Sequence, residues 1–273
     1  MIQPATVGCP VLLGKHGRAV LGKRPATFDR RDLKFTEFVP AAGTGALPKH
    51  PMRFGHEKSV PSSGWGMLGN DAHSDCVFAG AAHEHMLWER EGGAAVPSAF
   101  TAAGVLSDYA AVTGFDPKTG SNDNGTIVRE ALAYRRRTGV LDAEGERHKI
   151  GAYLALDPGN WDHLLEAVYL FGAVGIGIEF PDSAMEQFNE GAPWDYVSGS
   201  HVEGGHYIPL VAKRSRLVCV TWGKTQQMTR RFYSRYCDEA WALVSPEIVS
   251  GAGRTPEGLD LPALQAALQS VAT

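Results

Sequence analysis

Asn70-Asp-Ala-His-Ser-Asp-Cys76-Val-Phe-Ala-Gly-Ala-Ala-His-Glu-His-Met-Leu-Trp88 is the stretch on which the reading of this chain turns. Its apolar spacing predicts a helix from Cys76 to about Arg90, with Phe78, Ala81, Ala82, His85 and Trp88 on the packed face and Ser74 or Asp75 as cap. A helix N-terminus favours negative charge, so a thiol placed there is acidified. Asn70 offers an amide six residues upstream, and Gly204-Gly205-His206 enters an apolar strand 130 residues downstream of the cysteine. Thiol, amide and distant imidazole are the parts of a cysteine nucleophile site, in which the ring takes the proton and stabilises the thiolate.

Working outward, the chain changes period halfway. Pro97 and Ser98 open a second predicted helix to about Val112, and a third runs from Ile127 to Thr138, stopped by Gly139. The third carries Arg135-Arg136-Arg137, which reads as a solvated helix face. Beyond it, Lys149 to Leu156 reads as a strand, and Asn160 or Asp162 begins a helix ending near Phe171. Residues 174–180, 207–212, 217–222 and 239–244 supply further strands, Pro209 marking an edge or irregular segment. Helices first and strands second give an α+β class, not alternating βαβ units. Residues 1–60, rich in Pro and Gly toward their end, form an extended N-terminal arm with short strands at Val11–Leu13 and Ala19–Leu21. Residues 61–246 form the main domain, and 247–273 a C-terminal extension with a helix from Leu261 to Val271.

The totals exclude several classes. A chain of 273 residues with 44% hydrophobic and 21% charged residues can bury one large core or two lobes around a cleft. A formal net charge of -4 does not ask for nucleic acid, and the only local basic features are Arg135–Arg137 and Arg230-Arg231 beside Phe232 and Tyr233. The most apolar window, Leu164 to Phe180, is interrupted by Glu166 and Glu179, so no membrane span is expected. No secretory apolar core stands at the N-terminus, and cytoplasmic residence is the default expectation. If Cys76 stays free, Cys9, Cys219 and Cys237 cannot all pair, which suits a reducing compartment. His73, Cys76, His83 and His85 are metal-ligating types, but His83 and His85 are two apart on the helix and no second pair completes a tetrahedral spacing. No metal and no cofactor is expected.

The segment Asn70–Ala79 resembles the nucleophile segment of the papain-like cysteine peptidases. Gly204-Gly205-His206 is similar to that family's histidine segment, and Val220-Thr221-Trp222-Gly223 to its later tryptophan–glycine segment. The landmarks follow the family order over residues 61–246. The resemblance implies a two-lobe fold, with a helical lobe over about 61–145 and an antiparallel β-rich lobe over 146–246, and a cleft between them. It implies Cys76 as nucleophile, His206 as its acid–base partner, and Asn70 with the Cys76 amide as oxyanion hole. Trp222 would shield the histidine, and Asn124, Gly125, Gly204 and Gly205 would border the substrate cleft. The implied activity is hydrolysis of a peptide or related amide through a thioester, on a peptide or protein substrate.

Three positions depart from the family pattern. Val220 stands where the family has an asparagine that orients the ring, leaving Thr221 or another group to do so. Asn70 is one methylene shorter than the family's glutamine, and Asp75 places a carboxylate directly before the thiol, where its charge opposes thiolate formation. These departures define the alternative: a catalytically inactive papain-like binding or structural protein.

Overall fold

The computed structural model describes residues 10–12, 17–38, 49–249, 254–258 and 260. Helices α1 (Phe35–Phe38), α2 (Cys76–Glu91), α3 (Ala102–Thr113) and α4 (Val128–Arg137) come first; α5 (Trp161–Phe171), α6 (Asp182–Glu190) and α7 (Arg230–Tyr236) lie among the later strands. Strands β1 (Pro10–Leu12) and β2 (Arg18–Val20) pair with each other, as do β4 (Val140–Leu141) and β5 (Arg147–His148). The remaining strands are β3 (Phe54–Gly55), β6 (Ala152–Leu156), β7 (Val174–Pro181), β8 (Val202–Lys213), β9 (Leu217–Thr221), β10 (Lys224–Met228) and β11 (Cys237–Val244). They form one antiparallel sheet in the order β10-β9-β8-β7-β11-β6, with β3 added against β8. The expected α+β class with a helical region and an antiparallel sheet is what the chain adopts.

Alternation along β7 separates two cores. Ile176, Ile178 and Phe180 pack with Leu164, Ala184 and Phe232 on the α5–α7 side. On the other face Tyr207, Val218 and Leu243 meet Phe78, Val105 and Leu132 of α2–α4. Each such fully buried side chain contributes about 1.5–3 kcal/mol of transfer free energy. On that second face β7 presents Gly175 and Gly177 before Glu179. A Cβ at Gly175 would lie 1.8 Å from Tyr207 Oη, and one at Gly177 would lie 2.0 Å from Lys23 Cε. The Gly-Ile-Gly-Ile pattern thus builds an apolar face and a trench in the same eight residues.

Helix α2 is buried from Cys76 to Glu89, so its polar side chains need internal partners. Glu84 accepts from Tyr207 Oη at 2.8 Å and pairs with Arg135 at 2.7 Å. Arg135 is therefore buried, not solvated as its run of arginines suggested; only Arg136 and Arg137 face solvent. Other local expectations also shift. Asp75 occupies the N-cap of α2 but its side chain makes no cap bond. Helix α3 starts at Ala102 because Thr101 accepts from the Gly104 amide, while Ser98 is held by Glu89. Gly204 and Gly205 belong to β8 itself. Pro209 pairs with Gly175 inside the sheet, and the β8–β9 register slips just beyond it, between Leu210 and Ala212. The expected helix at 261–271 and Cys9 lie outside the described residues. Among the described residues no helix is long and apolar enough to cross a membrane.

Candidate functional site

Residues 18–24 lie between the helical region and β8, crossing above Cys76. Val20 N donates to Asn70 O at 2.9 Å, Thr126 N to Gly22 O at 2.8 Å, Lys23 N to Gly205 O at 2.9 Å and Arg24 N to Thr126 O at 2.9 Å. Lys23 is 2% exposed; its Nζ lies 2.6 Å from Asp238 and 3.3 Å from Glu239. Burial works against the Lys23 charge, but the two carboxylates outweigh it and raise its pKa. Glycine makes the close approach possible. A Cβ at Gly22 would fall 2.0 Å from Ser74 O, and one at Gly205 would fall 2.2 Å from Lys23 O. The sequence reading missed this strap. Its signal was a lysine directly after an apolar run, Ala19-Val20-Leu21-Gly22-Lys23, with no polar face to join.

Cys76, His206, Asn70, Thr221 and Trp222 line one cavity of about 10 Å³. That is the smallest volume that holds a water molecule. Cys76 and His206 are each 1% exposed. Burial pushes the Cys76 thiol up to about 12; the Asp75 carboxyl adds to the rise, and the Tyr207 and Gly22 amides and Lys23 only partly offset it. Burial alone pushes His206 down to about 3. At neutral pH both groups are therefore uncharged. His206 Nε2 lies 2.8 Å from Thr221 Oγ1, the ring stacks on Trp222 at 4.5 Å, and Nδ1 has no hydrogen-bond partner. No hydrogen bond joins the Cys76 sulfur to either ring nitrogen.

These findings overturn the expectation of cysteine-dependent amide hydrolysis through a thioester. The sequence signals place thiol and imidazole beside one cavity, but burial keeps both neutral and unpaired, and no room is left for a carbonyl to approach the sulfur. The helix N-terminus does not rescue the thiolate: the cost of desolvating it exceeds the stabilisation offered by a helix end, about 0.3–1 kcal/mol in ordinary settings.

Of the other candidate residues, Asn70 and His83 line this cavity. Asn70 Nδ2 donates to Val20 O at 2.9 Å and His73 O at 3.0 Å, so its amide is engaged by the strap and the preceding turn. Burial holds the Asp75 carboxyl well above the usual range. Gly125 N donates to Tyr109 Oη, and Asn124 N to Asn122 O, in a loop tied to α3. Gly204 pairs with Phe180, and Gly205 with the strap. The four candidate metal-ligating residues separate: His73 faces Asp123 at 3.6 Å, His83 bonds to the Trp65 and Gly66 carbonyls, and His85 reaches Glu247 at 2.6 Å.

No family model and no curated protein matches the sequence. Solved structures do match. Xylellain, a cysteine protease from Xylella fastidiosa, aligns over 90% of this chain and 98% of its own with a TM-score of 0.61 and 14% identity. The cysteine protease and lectin-like domains of Cwp84 from Clostridium difficile align over 83% of this chain and 56% of their own, at TM-score 0.56 and 9% identity. Procathepsin B S9 from Trypanosoma congolense covers 83% of this chain and 86% of its own, at TM-score 0.54 and 11% identity. At these identities the likeness is one of fold.

Proposed function

We propose, from the premise that this chain has the papain-like fold, that it works as a catalytically inactive binding or structural protein built on that fold. The observation that carries this reading is the strap: residues 18–24 hydrogen-bond to Asn70, Thr126 and Gly205 and pack against a neutral thiol, which shares a cavity of only about 10 Å³ with a neutral imidazole. The backbone edges that an extended substrate would pair with are taken by the chain itself. The partner in this reading is a peptide or protein. Its contact is the neighbouring cavity of about 260 Å³, lined by Met67, Phe188, Trp222, Lys224 and Ser63. That lining suits an apolar side chain with an acidic neighbour.

The test is mass-spectrometric mapping of an electrophilic cysteine reagent on the native chain, followed by a peptide-library cleavage assay. Among the described cysteines Cys237, which is half-buried, should label first, with Cys76 and Cys219 labelling only as the fold opens. No library peptide should turn over. Selective labelling of Cys76 that disappears in His206→Ala, together with library turnover, would sink the reading.

A further inference from the structure

Far from the sealed cavity, four side chains converge between α2, the β4–β5 hairpin and the 3-10 turn Pro246–Ile248 that follows β11. His85 and Glu89 stand four residues apart on α2, hence on one face, roughly 13 Å or more along the helix from Cys76. His148 comes from β5 and Glu247 from the turn. His85 Nδ1 lies 2.6 Å from one Glu247 oxygen, and His148 Nδ1 lies 2.8 Å from the other. Glu89 Oε1 is 3.3 Å from the same His148 nitrogen. One ligating atom each from His85, His148 and Glu247 falls within a mutual distance of 4.8 Å.

We propose that His85, His148, Glu247 and Glu89 form a structural zinc site that clamps the end of β11 to the helical region. Two imidazole nitrogens and two carboxylates are a donor set suited to zinc; calcium and magnesium favour all-oxygen shells with more ligands. Around a tetrahedral ion with bonds of about 2.0–2.1 Å, donors sit about 3.3 Å apart. Three of the donor separations are 2.6, 2.8 and 3.3 Å, so the closest pair opens by about 0.7 Å to reach that spacing.

The surroundings already orient the donors. Asp142 Oδ2 lies 3.1 Å from His148 Nε2, turning Nδ1 inward, and Asp142 is itself fixed by the Glu144 and Glu146 amides. Glu89 is held by the Ser98 amide and hydroxyl at 2.6 and 2.8 Å. Such outer partners are the usual company of a ligating histidine and carboxylate. Phe100 and Trp88 wall the two rings on the apolar side, while Glu247 keeps a side-chain exposure of 19% and leaves a path for an ion. The turn itself is pressed against α2: a Cβ at Gly92 would lie 1.9 Å from Glu247 O. His85, His148 and Glu247 converge, and with Glu89 drawn from beside His148 as fourth ligand no position is left open, which makes a structural centre, not a catalytic one.

The experiment is titration of the metal-stripped full chain with Zn²⁺ and with Co²⁺. One equivalent should bind, the cobalt form should show tetrahedral visible bands without a thiolate charge-transfer band, and zinc should raise the melting temperature by several degrees. His148→Ala and Glu247→Gln should weaken binding about 100-fold or more, and Asp142→Asn about 10-fold. Cys76→Ser should leave it unchanged. If His148→Ala does not fold, Glu247→Gln keeps the size of the side chain and decides the question. Absence of stoichiometric binding, a thiolate band, or affinity unchanged in Glu247→Gln would overturn the site.

Discussion

At the N-terminal end of α2 a cysteine and two histidines sit in dry surroundings. His206 and His83 are buried without a carboxylate partner, and burial lowers both, to about 3 and about 4. At the C-terminal end of the same helix the histidines are paired with acids. His56 lies between Glu91 and Glu257; burial pulls it down, yet the two hydrogen-bonded carboxylates lift it to about 9. His56 is thus a cation where His83 and His206 are neutral core fillers, while His85, more deeply buried, is still lowered beside Glu247; the difference lies in which side chains the fold brings alongside and how far it buries them. Chemistry inferred from residue type alone carries over to the folded chain only where those neighbours agree.

The largest effect that separates the two ends is acid stability. Unfolded, each ring binds a proton near pH 6.5; folded, His83 does so only near 4 and His206 near 3. The unfolded chain therefore binds more protons across that window, and stability falls as pH falls. With both rings neutral the slope is about 2.7 kcal/mol per pH unit between roughly 6.5 and 4, and about half that down to 3. Urea denaturation across this range checks it, and His206→Gln should remove about half the slope. His56 supplies the opposite sign: its stabilisation is complete below 6.5 and lost as pH rises through about 9, at no more than about 1.4 kcal/mol per pH unit before solvent screening. A flat acid limb would erase the contrast between the two ends.

Next in size is the strap. Lys23→Met keeps the apolar stem but leaves Glu239, 1% exposed, and Asp238 without their cation. Removing one partner of a buried pair costs about 3–5 kcal/mol. We expect that loss in denaturant titrations, with faster alkylation of Cys76 and unchanged metal stoichiometry at the other end of α2. A cost below about 1 kcal/mol with unchanged labelling would mean that Cys76 is shielded by something other than residues 18–24.

Much of the architecture was legible before any coordinates. The 3.6-residue spacing from Cys76, the apolar β7 run and the strand at 217–221 each follow from local pattern, because which face is buried is written in the order of residues. The proximity of Cys76, His206 and Trp222 was legible too, through the ordered landmarks. Their charge states were not. Those depend on the strap, whose contacts span 50 to about 215 residues of chain separation, as from Val20 to Asn70 and from Lys23 to Asp238. Arg135 shows the same limit: a run of three arginines looks solvated, yet Glu84, 51 positions away, makes one of them a core residue. His85 was weighed with its sequence neighbours, while its partner Glu247 lies 162 residues away.

The smallest expected effect tests how His206 is held. Thr221 Oγ1 is the ring's only hydrogen-bond partner among the described residues, and Val220, at the position where papain-like peptidases have asparagine, is buried in the core facing α2. Thr221→Val keeps the β-branched shape and the strand while removing that oxygen. A buried ring nitrogen left without a partner costs about 1–3 kcal/mol, and the neighbouring Nδ1 is already in that condition, so the lower end is expected. Thr221→Ser, which restores the hydroxyl, should recover most of the loss. If Thr221→Val costs nothing, the Trp222 stack and the surrounding apolar wall hold the ring by packing alone, and the histidine at this end of α2 would be a core residue in every respect.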